Sequence, residues 1–197
     1  MKKTITLFLA VIMVLSLTAC GSKRESAQSV AEKAIKAVQT VDLDAIRSYW
    51  GDEDIVADDS TDPQSVEMLK LIAGGMTYKV TGAKEDESAG KATVTVEFTN
   101  VDMSKIMSDF MSEMLSEALQ YAFLPEDQQP SEEEMNQKYM DIFNEIMARD
   151  DNTTVTNSVD ITLSLVNDAW KIDSSETVVD AMLGGLYAFT ESMNGLS

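Results

Sequence analysis

The chain has 197 residues, 34 of them acidic and 15 basic, for a formal net charge of −19. That balance excludes binding to nucleic acid through clustered Lys and Arg, and a hydrophobic content of 44% excludes wholesale disorder. With no His and one Cys, imidazole bases, imidazole metal sites, Ser-His relays and intramolecular disulfides are excluded as well.

Lys2 and Lys3 precede an apolar run of 11 residues, Ile5 to Leu15, interrupted by one Thr. A bilayer-spanning helix needs about 20 residues, so the run is too short to cross. Its length and flanks are those of an export signal. It ends in Leu17-Thr18-Ala19-Cys20, followed by Gly21-Ser22. This resembles the lipobox of bacterial lipoproteins. The resemblance implies cleavage between Ala19 and Cys20 and a diacylglyceryl thioether on Cys20, the only Cys of the chain. Two acyl chains suffice for stable anchoring in a bilayer. Residues 1–19 therefore read as a signal peptide and residues 20–28 as the lipidated Cys with a short tether. Residues 29–197 read as one domain on the extracytoplasmic face of the cell membrane. Cleavage leaves 13 basic and 34 acidic residues.

Val30, Ala31, Ala34, Ile35 and Val38 mark one face of a first helix. Asp42 is placed to cap a second, short helix carrying Leu43, Ile46, Tyr49 and Trp50, which Gly51 and Asp52-Glu53-Asp54 end. Asp62-Pro63 opens a third helix, with Val66, Leu69, Ile72 and Ala73 as its apolar face and Gly74-Gly75 as its stop. Residues 76–83 and 91–99 alternate apolar and polar side chains across a turn at 85–90, an antiparallel hairpin with one wet face.

From Asp102 the period becomes helical. Met103, Ile106, Met107, Phe110, Met111, Met114, Leu115, Ala118 and Ala122 form one stripe. Pro125 and Pro130 bound a linker, and Ser131-Glu132-Glu133-Glu134 has the capping-box pattern. A second amphipathic helix follows, so residues 102–151 are expected to form a helical hairpin set against the sheet. Val155, Val159, Ile161, Leu163 and Leu165 alternate with polar residues in a long strand. Asn167-Asp168 turns it back into Trp170-Lys171-Ile172. One terminal helix is expected over 175–190, with Gly184-Gly185 weakening it or letting it pack closely.

The order of elements resembles the NTF2-like (cystatin-like) α+β folds, in which N-terminal helices pack on a curved antiparallel sheet. The segments AEKAIKAVQTVDLDAIRSYW and NDAWKID are similar to the opening and the last hairpin of such domains in bacterial lipoproteins. FTNVDMSKIM and the acidic, Met-rich helices resemble Gram-positive, clostridial-type members with a helical insertion. The resemblance implies an NTF2-like domain with a helical hairpin inserted at about 102–151 and a helix at its C-terminal end.

Seven methionines lie between 103 and 147. Met103, Met107, Phe110, Met111 and Met114 form a candidate binding face, because thioether faces adapt to apolar partners. Filling of an irregular core is the plainer reading of the same residues. Residues 102–151 carry 13 acidic and 3 basic side chains, the most electronegative part of the chain. The carboxylate clusters fit no calcium-loop pattern, and no cofactor or metal is expected. Some NTF2-like enzymes use Asp and Tyr inside a cone-shaped pocket, and Tyr49, Tyr78 and Asp160 are of suitable type. Two readings stay open. One is a non-enzymatic envelope module binding a protein, peptide or apolar small ligand. The other is a small-molecule enzyme with Asp and Tyr in the cone.

Overall fold

The first turn of a helix leaves backbone N–H groups without intrahelical acceptors. This chain supplies side-chain oxygens at several helix starts. In the computed structural model, which describes residues 24–50 and 63–195, Ser26 caps α1 (Ala27–Thr40) and Asp42 caps α2 (Leu43–Tyr49). Pro63 is the first residue of α3 (Pro63–Gly74), where a missing N–H breaks no bond. The stop at Gly51 and Asp52-Glu53-Asp54, the cap at Asp62 and the Ala19-Cys20 junction lie outside the described residues.

Two hairpins follow. β1 (Thr77–Asp86) pairs with β2 (Lys91–Val101), with a bulge between Val80 and Gly82. The expected turn at 85–90 tightens to 87–90, because Asp86 still pairs with Lys91. β3 (Thr154–Val166) pairs with both β2 and β4 (Ala169–Ile172), giving one antiparallel sheet in the order β1-β2-β3-β4. Asn167 and Asp168, at φ 50° and 65°, make the two-residue left-handed turn that matches strand twist. Among the described residues the protein is thus α+β, with seven helices and a four-stranded antiparallel open sheet.

The alternation of the strands decides which face is dry. Ala92, Val94, Val96 and Phe98 of β2, Ile161 and Leu163 of β3, and Trp170 and Ile172 of β4 are buried in one cluster. Ala31, Ala34 and Ile35 of α1 and Val178 and Met182 of α6 (Glu176–Met182) belong to the same cluster. The opposite face is polar and rich in Thr, as expected for a sheet with one wet side.

A second cluster is built elsewhere. α4 (Met103–Ala122) and α5 (Glu132–Met147) contribute Met103, Ile106, Ile142, Phe143 and Ile146, joined by Ile72 of α3. Leu183 and Leu186 pack on its border. The hairpin is therefore not laid on the sheet as expected. It leaves the end of β2 and buries its root against the end of α3 and the start of α7 (Leu186–Asn194). The sheet's apolar face is already occupied by α1 and α6, and the hairpin packs beside it.

The expectation of one terminal helix is also corrected. Gly184 and Gly185, both at positive φ, split it into α6 and α7. A Cβ on Gly184 would stand 2.0 Å from the carbonyl oxygen of Val101, so only glycine lets the chain pass there. Asn100 is buried beside this crossing. Its Nδ2 donates to the carbonyls of Ile72 (3.0 Å) and Met182 (2.8 Å), and its Oδ1 accepts from Val101 N–H (2.8 Å).

Candidate functional site

The hairpin is anchored at its root and open toward its tip. Asp102 accepts from the N–H groups of Ser104 (3.1 Å) and Lys105 (3.4 Å). The N–H of Met103 donates to Gly184 O at 2.9 Å. Ser131 and Glu134 complete a reciprocal capping box at the start of α5. At its far end Asn152 donates to the carbonyls of Ile146 (2.7 Å) and Met147 (3.1 Å), adding to the backbone bond that Arg149 N–H already gives Ile146 O. Between the helices Phe110 and Phe143 meet edge to face, with centroids 5.6 Å apart.

An ionic seam runs along the α5 side of α4. Lys105 pairs with Asp109 at 2.8 Å, Lys138 with Glu117 at 3.4 Å, and Arg149 with both Asp109 and Glu113. The bond from Lys105 holds the Asp109 carboxyl below its ordinary range, and the bond to Glu117 raises the Lys138 ammonium. All three basic residues of the hairpin are engaged in this seam, by three of its thirteen carboxylates.

The five residues of the candidate binding face do not share one environment. Met103 is fully buried, and Met107 and Phe110 pack half-buried on the hairpin cluster. Met114 is half-buried and Met111 is 43% exposed. The open face of α4 continues from Met111 through Leu115 (62% exposed) and Leu119 (52%) to Phe123 just past the helix (85%). Leu119 and Phe123 were not among the residues expected from the sequence. The series 111, 115, 119 and 123, one helical turn apart, is the signal that marks them. Ser108, Ser112 and Ser116 are exposed along the same stretch.

The candidate acid–base residues are not brought together. Tyr49 and Tyr78 pack on the cluster beneath the sheet, where burial pushes the Tyr78 hydroxyl up. Asp160 lies on the polar face and accepts from Thr95 Oγ1 at 2.6 Å. Across the sheet they share no pocket. A shallow cleft of about 260 Å³ opens near Arg24, Tyr49, Asp168 and Trp170. Arg24 Nη1 and Trp170 Nε1 have no hydrogen-bond partner there. Each exposes less than 1 Å², so a group seated in the cleft would not reach them.

Among the described residues no group of three or more Asp, Glu, Cys or His side chains is arranged to hold a metal ion. Among the same residues no helix is long and apolar enough to cross a membrane. No protein-family model, curated protein or solved structure matches the chain.

Proposed function

We propose that the chain is an extracytoplasmic lipoprotein held to the cell membrane through an acylated Cys20. Its NTF2-like domain is a non-enzymatic binding module of the envelope, with the α4–α5 hairpin as the recognition surface. One observation carries this reading: the sole Cys of the chain follows Leu17-Thr18-Ala19 at the end of an 11-residue apolar run. The NTF2-like assignment is supported by element order. Helices precede an antiparallel sheet whose strands are neighbours in chain order, with a helical hairpin inserted between the second and third. A binding role is favoured over catalysis by the separation of Asp160 from Tyr49 and Tyr78, and by the uncovered leucines of α4.

Cys20→Ser tests the anchor. The parent chain is expected to sediment with membranes and to incorporate a palmitate label. The variant is expected to stay unprocessed and unlabelled. A variant that matures and sediments as the parent does overturns the reading.

A further inference from the structure

We propose that the open face of α4 seats a cationic amphipathic helix of another protein, which lies along the hairpin and completes a three-helix bundle. The inference rests on the reading of the hairpin as a recognition surface and names the chemistry of what it recognises.

The face has the pattern such a helix needs. Met111, Leu115 and Leu119 stand one turn apart and continue into Phe123, a ridge for anchors spaced i, i+4. The residues exposed between them, Ser112 and Ser116, are small and uncharged, so a second helix can approach closely. The charged side chains Asp109, Glu113 and Glu117 are turned into the seam with α5 and do not interrupt the ridge.

Charge selects the occupant. The hairpin carries 13 acidic and 3 basic residues, a net formal charge of −10. Its three cations are engaged internally, so the hairpin as a whole carries an uncompensated negative field. A helix with Lys or Arg beside its apolar face gains from that field. A second copy of the chain would bring another −10 into the same contact. An anionic bilayer is repelled for the same reason.

The test uses the full chain in phosphatidylcholine nanodiscs, with empty nanodiscs as the blank. The probes are a synthetic Leu/Lys amphipathic helix of about 18 residues, a scrambled version and a Leu/Glu version with the same apolar face. The Leu/Lys helix is expected to bind, and the other two to bind at least about tenfold more weakly. Adding salt from about 0.05 to 0.5 M weakens the contact by screening. Leu115→Ser with Leu119→Ser leaves every charge in place and is expected to weaken binding at least about tenfold. Leu115→Glu alone is the second variant and is expected to act in the same direction. Equal binding of the scrambled helix, or undiminished binding by both variants, overturns the proposal. So does a dimer of the chain that dissociates on Leu115→Glu, which would make a second copy the occupant. Docking onto phosphatidylglycerol vesicles that depends on Leu115 would assign the face to the bilayer. None of these readouts depends on how Cys20 is processed, so failure here and failure of the anchor are told apart.

Discussion

The two apolar clusters close in different ways. Beneath the sheet, Phe98, Ile161, Leu163, Trp170 and Ile172 meet the alanine-lined side of α1 and the face of α6, and each is 2% exposed or less. In the hairpin, burial is complete at Met103, Ile106, Phe143 and Ile146, then decreases along α4 until Leu115 and Phe123 stand mostly in solvent. The first arrangement is what a chain needs in order to fold. The second retains large apolar side chains where they contribute nothing to burial. The proposed recognition surface rests on these side chains standing in one continuous ridge, since scattered ones call for no explanation. Asn100 and Gly184 join the two regions at the crossing of β2, α4 and the α6–α7 corner.

The sharpest contrast comes from truncating one residue of the closed cluster. Trp170 is 2% exposed, and Trp170→Ala is expected to cost about 3–5 kcal/mol in the unfolding free energy of the full chain, measured with urea. Trp170→Phe should cost clearly less, because the indole N–H has no partner to lose. A Trp170→Ala cost below about 1 kcal/mol would place Trp170 outside the core and erase the contrast. Next in size is the junction. Gly184→Ala combines a positive φ with a Cβ 2.0 Å from a backbone oxygen, so the corner must move. The expected cost is more than about 2 kcal/mol. Hydrogen exchange should show the loss in α6, α7 and the root of α4 together.

Much of this arrangement can be read from the residues. The alternation of Val94, Val96 and Phe98, the Asn167-Asp168 turn and the Ser131–Glu134 box each carry local rules strong enough to set their elements. The open ridge is less legible. Periodicity marks apolar positions but does not say which neighbour will cover them. Met103 and Met111 belong to the same stripe of one helix, yet one is sealed beneath Ile72 and Ile146 while the other faces solvent. Asn100 falls in the inward register of β2, where a polar residue reads only as the end of a strand. Its acceptors lie 28 and 82 positions away in the chain. The break at Gly184 likewise depends on Val101, which no local window contains.

A smaller effect separates the caps of the hairpin from its ridge. Ser131→Ala removes the acceptor for Glu134 N–H and should cost about 1 kcal/mol. Glu134→Ala removes the other half of the box, and its effect should depend on pH. The backbone N–H of Ser131, then its hydroxyl, hold the Glu134 carboxyl below its ordinary value. A carboxyl depressed in the folded state stabilises that state above its unfolded pKa, near 4.3. That stabilisation is lost as the pH falls through the lower, folded value. The difference between parent and Glu134→Ala should therefore be full at neutral pH and shrink on acidification. A difference that grows on acidification would mean that the carboxylate is not what caps the helix.

The smallest expected effect tests the comparison most directly. Leu115→Ser should change the unfolding free energy by no more than about 0.5 kcal/mol, because Leu115 is 62% exposed and its loss opens no cavity. Leu163→Ala, in the closed cluster, should cost about 2–5 kcal/mol under the same conditions. Both positions carry leucine on a regular element, and propensity changes of at most about 1 kcal/mol are too small to make the gap, so what covers each residue accounts for most of it. A Leu115→Ser cost above about 1.5 kcal/mol would mean that something already lies over the ridge in the folded chain. Running the pair at two protein concentrations separates the sources of such a cost. A cover supplied by the same chain is independent of concentration, whereas a cover supplied by a second copy weakens on dilution. A near-zero cost at both concentrations leaves the ridge bare in the isolated protein, which is the state a partner helix requires.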